Sequence, residues 1–178
     1  MIKKVLIANR GEIACRIIKT AKKMGLLTVA VYSDADKNAL HTRMADESIH
    51  IGGSQSSNSY LSFEKIMNAI KISEADAVHP GYGFLSENAE FASFLKKNKI
   101  IFIGPPVEAI KKMGDKIESK KIAMNAGVST VPGYIGQIKN AEHAKKIALE
   151  IGFPLMIKAS AGGGGKGMRV IYNLSEIE

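Results

Sequence analysis

The chain has few of the residues that mark several common classes of protein. Its 178 residues include one cysteine and no tryptophan, so an internal disulfide is excluded and redox chemistry is not indicated. We expect Cys15 to be a small buried hydrophobic residue of an amphipathic helix. A run of about eighteen apolar residues is absent, and the first apolar strand begins almost at Met1, so we expect no membrane span and no signal or transit segment. A bacterial cytoplasmic location is the simplest expectation.

Acidic residues are fewer than basic ones. The 17 Asp and Glu against 25 Lys and Arg give a net charge of +8, which raises the hypothesis of nucleic-acid binding. Aromatic residues do not alternate with basic ones, however, as a base-stacking surface requires. Lysine pairs such as Lys22-Lys23, Lys96-Lys97 and Lys145-Lys146 fall at predicted helix ends, where cations interact favourably with the helix dipole. We expect no nucleic-acid partner, and phosphate-bearing small molecules suit this charge at least as well.

Apolar runs alternate with 3.6-residue patterns through the first hundred residues, which predicts a parallel sheet covered by helices. The predicted strands are Lys4–Ala8, Thr28–Tyr32, Ser48–Ile51, Ala77–His79 and Ile100–Ile103. The predicted helices lie near Glu12–Met24, Leu40–Ala45, Ser62–Ile72 and Asn88–Lys97. The pattern indicates a Rossmann-like, doubly wound α/β domain over residues 1–110.

The pattern changes after the Gly104-Pro105-Pro106 segment. Helices are predicted near Val107–Met113, Lys116–Ala126 and Ala141–Glu150, and two apolar runs around a glycine loop follow them. The last six residues are typical of an N-cap and the first turn of a helix. We therefore expect residues 111–178 to be the opening part of a second domain.

The most informative stretch is a glycine loop between two short apolar runs. Its consecutive glycines are Gly162, Gly163, Gly164 and Gly165. Glycines allow a backbone to approach a polyanion and to present its N–H groups, and Lys158 and Lys166 add positive charge on either side. This pattern predicts a strand-loop-strand flap that closes over nucleotide phosphates, and a plain flexible hairpin is the alternative.

Two better-known glycine motifs are excluded by spacing. A P-loop requires a hydroxyl residue after its lysine, but Gly167 follows Lys166. A dinucleotide fingerprint requires several glycines after the first strand, where this chain has only Gly11.

Two further segments are candidates for binding. Residues 79–88 follow a predicted strand at the edge where open α/β sheets bind ligands, and Tyr82 and Glu87 could project into a crevice there. Alternatively, His79 and Phe84 pack while Glu87 only favours the start of the next helix. Lys116 begins a helix whose N–H groups could attract an anion, although a solvated lysine is the simpler interpretation.

Four stretches together resemble the biotin carboxylase family. They are IANRGEIA at 7–14, HPGYGFLSEN at 79–88, GDK at 114–116 and KASAGGGGKGMR at 158–169. They occur in the family's order and spacing, and the resemblance covers the whole chain. The amino-acid sequences of the last two stretches are most similar to those of the biotin-containing α subunits of acyl-CoA carboxylases. Among these subunits, those that act on propionyl-CoA are the most similar.

The resemblance implies an ATP-grasp enzyme, with a Rossmann-like N-terminal domain, a lid that carries the glycine loop, and a C-terminal part that completes the site. It implies ATP with Mg²⁺ or Mn²⁺, bicarbonate as substrate, and biotin on a carrier domain as the acceptor of the carboxyl group. A carboxyltransferase subunit or domain is the further partner implied. Related bacterial enzymes form a dimer through an arginine and a glutamate where this chain has Lys19 and Lys23, so a homo-oligomer stays open.

Residue by residue, the resemblance places Lys116 and Lys158 on the ATP phosphates, with Gly162 to Gly165 closing over them. Met168 corresponds to a residue that lines the nucleotide pocket. Tyr82 and Gly83 correspond to the edge where the biotin ring approaches. The family's catalytic residues and metal ligands correspond to positions beyond residue 178, so none is expected here and these residues alone are expected to be inactive.

The sequence leaves several alternative functions open. The chain could belong to an acetyl-CoA or pyruvate carboxylase. It could also belong to another ATP-grasp ligase, such as a carbamoyl-phosphate synthase or a purine-pathway carboxylase, although the 79–88 segment argues against that. A rival of a different class is a non-catalytic assembly module whose lysines only keep it in solution.

Overall fold

The structure is a computed structural model that describes residues 1–158 and 167–177. The chain forms two compact units, Met1–Ile110 and Lys111–Glu178, called unit 1 and unit 2 below. Among the described residues, no helix combines the length and the apolar composition needed to cross a membrane.

Unit 1 is built on a parallel sheet of five strands in the order β3-β2-β1-β4-β5. The strands are β1 (Lys4–Ile7), β2 (Leu27–Tyr32), β3 (Glu47–His50), β4 (Ala77–His79) and β5 (Ile101–Phe102). The chain adds β2 and β3 on one side of β1, and then returns to add β4 and β5 on the other. The carboxyl ends of β1 and β4 therefore flank the point where the winding reverses, which is where open α/β sheets bind ligands.

Four helices connect these strands. They are α1 (Gly11–Lys23), α2 (Leu40–Met44), α3 (Phe63–Ser73) and α4 (Ala89–Lys97). Single 3₁₀ turns occur at Asp34–Asp36 and Ser56–Asn58. Helix α1 ends where Gly25 adopts φ +75°, and the Leu26 N–H donates to the Ala21 carbonyl at 3.0 Å. A glycine in this conformation just after the last helical turn is a common helix stop.

The core of unit 1 lies on both faces of its sheet. Successive side chains of a strand point to opposite faces. Accordingly, Leu6 belongs to the cluster that contains Phe91 of α4, while Ile7 packs in a second cluster with Ile18 of α1. All four side chains are fully buried. The predicted doubly wound α/β fold is confirmed.

Unit 2 consists mainly of helices and one strand pair. Helix α5 (Val107–Gly114) begins in unit 1 and ends in unit 2. It is followed by α6 (Lys116–Asn125), α7 (Ala141–Ile151), β6 (Leu155–Lys158), β7 (Met168–Ile171) and a 3₁₀ turn at Leu174–Glu176. Strands β6 and β7 pair antiparallel, which confirms the two predicted strands around the glycine loop. The cluster of buried residues consists of Ala144, Ala148, Ile171 and Ile177.

The predicted elements agree with the structure to within one or two residues, but two local expectations are wrong. Cys15 is half-buried rather than buried, because it lies beside Ala14 at the margin of the apolar face of α1. Lys145-Lys146 lie in the middle of α7 rather than at an end. Lys22 lies in the last turn of α1 as predicted, and its Nζ also pairs with Asp46 Oδ1 at 2.8 Å.

Candidate functional site

The turn that follows β4 is attached to the end of β1 by one side chain. The Nδ2 group of Asn9 donates to the carbonyl of Pro80 at 2.8 Å and to that of Tyr82 at 3.0 Å. The Ala8 N–H donates to the His79 carbonyl at 2.9 Å. The carboxyl ends of β1 and β4 are thus joined through main-chain atoms at the point where the sheet winding reverses.

Glycine is required at the centre of this turn. Gly81 has φ +69°, and a Cβ there would lie 2.7 Å from both Asn9 Nδ2 and Ile13 Cγ2. The Gly81 N–H donates to His79 Nδ1 at 3.0 Å. A side chain at position 81 would push the turn away from Asn9, since both the conformation and the space favour glycine.

The far end of the turn is fixed by an aromatic pair. Phe84 has φ +40°, and its ring stacks on Tyr60 with centroids 5.1 Å apart and planes 4° from parallel. Leu85 beside it is buried. Tyr82 and Gly83, which lie between the two fixed ends, are exposed, Tyr82 to 64%.

The structure agrees with the packing interpretation of the 79–88 segment for Phe84, and the binding role of Tyr82 stays a prediction. Phe84 packs against the core, and burial lowers the pKa of His79. Tyr82 is presented at the surface, where a ligand can reach it, and Gly83 has no atom within 4 Å of the position a Cβ would take. Glu87 is exposed but is not part of the groove that Tyr82 borders.

That groove lies along α1 and has a volume of about 570 Å³. Ile13, Ile17 and Met24 of α1 form much of its wall, with Tyr82 and Arg16 among the polar groups that border it. Its mainly apolar lining indicates a surface that another apolar group can cover.

A polar cluster around Asp36 lies after the carboxyl ends of β1 and β2. The Tyr60 hydroxyl donates to Asp36 Oδ2 at 2.7 Å, the Ser33 hydroxyl donates to the same oxygen at 2.9 Å, and Arg10 Nη1 lies 3.3 Å from Asp36 Oδ1. Burial alone would raise the pKa of Asp36, but these hydrogen bonds and the Arg10 charge outweigh it and hold the pKa below its ordinary value. Burial, together with the bond to Asp36, raises the pKa of Tyr60 to about 12.

The cluster also bears on whether Asp36 could bind a dinucleotide. Dinucleotide-binding folds use an acidic residue near the end of the second strand to hold a ribose hydroxyl. Asp36 lies in that region, but Arg10, Ser33 and Tyr60 already bind its carboxylate.

The lysine and methionine predicted on the flap face each other in unit 2. Lys158 is the last residue of β6 and pairs in register with Met168, the first residue of β7. Both side chains are exposed. The predicted loop glycines, Gly162, Gly163, Gly164 and Gly165, lie outside the described residues. The structure therefore places Lys158 and Met168 together, one on each strand at the end of the pair that borders the loop.

Lys116 is the first residue of α6 and is exposed. The Asp115 carboxylate caps this helix, accepting the N–H groups of Ile117 at 2.8 Å and Glu118 at 2.9 Å. These bonds lower the pKa of Asp115. The expectation that first-turn N–H groups help to attract an anion beside Lys116 is wrong for these two groups, because the chain's own carboxylate already occupies them.

No group of three or more His, Cys, Asp or Glu in residues 1–158 and 167–177 is arranged to hold a metal ion. Sequence reasoning also assigned no role to Asn9, Tyr60 or Asp36, although Asn9 lies within one of the quoted stretches. For Asn9 the available signal was a polar residue just after an apolar strand, which is unusual at a buried position unless its polar atoms are paired.

Two family models together match nearly the whole chain. The model described as "Biotin carboxylase, N-terminal domain" matches residues 1–110. The chain belongs to the biotin carboxylase family. A model described as "Carbamoyl-phosphate synthase L chain, ATP binding domain" matches residues 115–178. The resemblance found in the sequence is confirmed.

The curated relatives of this biotin carboxylase chain are considerably longer than it is. It is 63% identical over 176 residues to the propionyl-CoA carboxylase alpha chain of Ruegeria pomeroyi, a match that covers 99% of this chain and 26% of the relative. It is 58% identical over 173 residues to the human mitochondrial propionyl-CoA carboxylase alpha chain, covering 97% of this chain and 24% of the relative. The chain thus spans about a quarter of the length of these relatives.

Solved structures share the fold closely. A Campylobacter jejuni biotin carboxylase, described as a complex with β-γ-ATP, superposes with a TM-score of 0.95 at 53% identity, over 100% of this chain and 40% of that one. The second is the biotin carboxylase domain dimer of Hydrogenobacter thermophilus 2-oxoglutarate carboxylase, described as a complex with MgADP, ADP and bicarbonate. It superposes with a TM-score of 0.91 at 49% identity, over 99% of this chain and 39% of that one.

Proposed function

We propose that these residues form part of a biotin carboxylase that uses ATP and bicarbonate to carboxylate biotin. The biotin is carried on a carrier domain, and the reaction is the first half-reaction of an acyl-CoA carboxylase, of the propionyl-CoA type. Because the chain spans about a quarter of its curated relatives, the activity is proposed for a full-length protein that contains these residues. The observation that carries the proposal is the register of β6 and β7, which sets Lys158 opposite Met168 at the mouth of the glycine loop.

In this proposal the chain's own residues bind and neutralise the phosphates. Phosphoryl transfer depends mainly on positioning and on the stabilisation of negative charge. Lys116 and Lys158 supply the charge, the glycines at 162–165 supply backbone N–H donors, and Met168 packs against the nucleotide. Closure of such a loop excludes water, which protects an intermediate that water would destroy.

The proposed metal is Mg²⁺ or Mn²⁺ bound with the nucleotide. The described residues do not fit it, because none of their acidic groups cluster as ligands.

The proposed partners are the biotin carrier domain and a carboxyltransferase subunit or domain. The type of acyl-CoA rests on identities of 58–63% to propionyl-CoA carboxylase alpha chains, while a methylcrotonoyl-CoA carboxylase subunit alpha from rat is 58% identical. The Hydrogenobacter structure is described as a dimer, so self-association is included in the proposal. The cytoplasmic location stays a prediction.

Calorimetric titration of Mg-ATP tests the two lysines. In the full-length protein we expect Lys116→Ala and Lys158→Ala each to weaken binding by about 10- to 100-fold, the size of a lost hydrogen bond to a charged group. Lys146→Ala is the matched control, since Lys146 is also exposed and also lies in unit 2. We expect its affinity to change by less than about twofold, as for a solvated surface lysine. Equal affinity in all four proteins would overturn the phosphate-binding assignment.

Another ATP-grasp ligase is the second candidate, because the match over residues 115–178 is to a carbamoyl-phosphate synthase domain. Bicarbonate-dependent ATP hydrolysis in the full-length protein, measured with and without free biotin, separates the two. Stimulation by biotin supports the biotin carboxylase. Hydrolysis that biotin does not change favours another ligase, and the absence of ATP binding and hydrolysis favours a non-catalytic assembly module.

A further inference from the structure

The side chain of Asn9 is used entirely on neighbouring main-chain atoms. Asn9 is 1% exposed. Its Nδ2 group donates to two carbonyls of the turn after β4, those of Pro80 and Tyr82, and its Oδ1 accepts the Arg10 N–H at 2.9 Å. Because every one of these partners is backbone, Asn9 contributes structure rather than direct contact with a ligand.

No other common side chain of this size makes the same set of bonds. The two carbonyls need two donors, which a primary amide supplies from one nitrogen, whereas a hydroxyl supplies one donor and a carboxylate none. A buried amide left without partners would be costly. The requirement for asparagine therefore comes from the main chain at residues 80–82.

The turn is seated on Asn9 and presents its tip outward. Gly81 lies so close to Asn9 that a Cβ would not fit between them, and Phe84 is held by stacking on Tyr60. Between these two fixed points, Tyr82 is the large side chain that faces outward, and it is 64% exposed. The direction of Tyr82 is thus determined by a turn whose carbonyls are fixed on both sides of Gly81.

We propose that Asn9 is a positioning residue that holds the turn at residues 80–82 and so presents Tyr82 and Gly83 to the biotin ring. This inference rests on the proposed function, because it takes biotin as the acceptor and gives Tyr82 and Gly83 the biotin-facing role that the family resemblance implies. Asn9 acts through the turn and does not touch the substrate. Pre-organised binding groups lower the ordering cost of binding, so loss of Asn9 acts on biotin rather than on ATP, whose proposed lysines lie in unit 2.

The first experiment compares Asn9→Ala with a matched control in the full-length protein. Thr28→Val is suitable because Thr28 is also fully buried and loses comparable hydrogen bonds, those between its hydroxyl and Asp46. Thr28 lies at the amino end of β2, at the opposite edge of the sheet from the turn. Asn9→Ser, which keeps one donor, is the milder variant to use if Asn9→Ala does not accumulate in folded form.

We expect Asn9→Ala to raise the KM for free biotin by about tenfold or more, the effect of a small misplacement of a binding group. The KM for Mg-ATP should stay within about twofold of the wild-type value, because the turn does not form part of the proposed ATP site. Asn9→Ser should lie between the wild type and Asn9→Ala. A KM for biotin that rises no further in Asn9→Ala than in Thr28→Val overturns the positioning role.

The second experiment does not depend on biotin. Amide hydrogen exchange reports local opening of the main chain, and we expect the amides of residues 81–85 to exchange about tenfold faster or more in Asn9→Ala than in Thr28→Val. Equal exchange in the two variants overturns the inference. If biotin fails to stimulate the wild-type protein, the proposed function fails, and the exchange experiment still decides whether Asn9 holds the turn.

Discussion

Unit 1 and unit 2 differ mainly in how much of each is buried. In unit 1 the sheet is covered on both faces, and Tyr60, Phe91 and Leu95 are among its fully buried side chains. In unit 2 the described strands pair only with each other, and Met156 and Val170 on these strands are 49% and 42% exposed. The biotin-facing residues are therefore proposed on a well-packed unit, and the ATP-binding ones on a unit with a smaller core.

The largest expected effect tests this difference directly. Phe91→Ala removes a buried ring that contacts Phe63 and Phe102, and we expect it to cost unit 1 about 3–5 kcal/mol. Ile171→Ala removes the largest fully buried side chain of the small cluster in unit 2. It should cost nearer about 2 kcal/mol, because a small core with exposed neighbours can collapse around the change.

Hydrogen exchange in denaturant measures both costs, since it follows each unit separately. The expected result is that each substitution speeds exchange in its own unit, and that Phe91→Ala has the larger effect. A larger cost for Ile171→Ala would mean that unit 2 is the better packed of the two.

The two units also differ in how much of their structure could be predicted from the sequence. In unit 1 apolar alternation and capping residues such as Asn88 and Gly25 predict the elements and their order, because these signals act between near neighbours in the chain. Asn9 was missed because the two partners of its Nδ2 group lie more than seventy residues away, after β4. Buried His41, whose Nε2 lies 3.2 Å from the Val31 carbonyl, shows no pattern in the sequence. In unit 2 the strand pair was predicted from two apolar runs, but the capping of α6 by Asp115 was not weighed against anion binding.

A smaller effect concerns the buried hydroxyl group of Tyr60 in unit 1. Burial and the bond to Asp36 raise the pKa of Tyr60 to about 12, above its unfolded value of about 10. The neutral hydroxyl therefore stabilises unit 1 fully below pH 10, and this contribution, of the order of 1–3 kcal/mol, is lost as the pH rises towards 12.

Alkaline unfolding of the wild type and Tyr60→Phe provides the measurement. Tyr60→Phe keeps the stack on Phe84 but has no hydroxyl to ionise, so its stability should fall less steeply between about pH 10 and pH 12. Identical slopes in the two proteins would show that Tyr60 does not limit unit 1 at high pH.

Two asparagine caps offer a matched pair across the units. Asn88 Oδ1 accepts the Phe91 N–H at 2.8 Å in unit 1, and Asn140 Oδ1 accepts the His143 N–H at 2.9 Å in unit 2. Replacing either by Ala should cost about 1 kcal/mol. Because α4 is anchored by a large core, loss of its cap in Asn88→Ala should lower the stability of the whole of unit 1. In contrast, Asn140→Ala should mainly increase local opening of α7. Hydrogen exchange at the two helix starts measures this, and equally local effects would contradict the comparison.

The smallest expected effect compares one carboxylate in each unit. The Lys22 ammonium and Thr28 lower the pKa of Asp46 to about 2, and the N–H groups of Glu118 and Ile117 lower that of Asp115. Both carboxylates therefore stabilise their surroundings above the unfolded value of about 3.9, and this contribution is lost as the pH falls below it, down to about 2 for Asp46.

For Asp46, whose side chain is 35% exposed, solvent screening limits the contribution to less than about 1 kcal/mol. Carboxyl titration by NMR should show both groups ionised below their ordinary range. Asp46→Asn should remove part of the acid sensitivity of unit 1, while Asp115→Asn, which can still cap α6, should leave unit 1 unchanged. If Asp115→Asn altered the acid stability of unit 1 as much as Asp46→Asn did, the two units would not respond to acid independently.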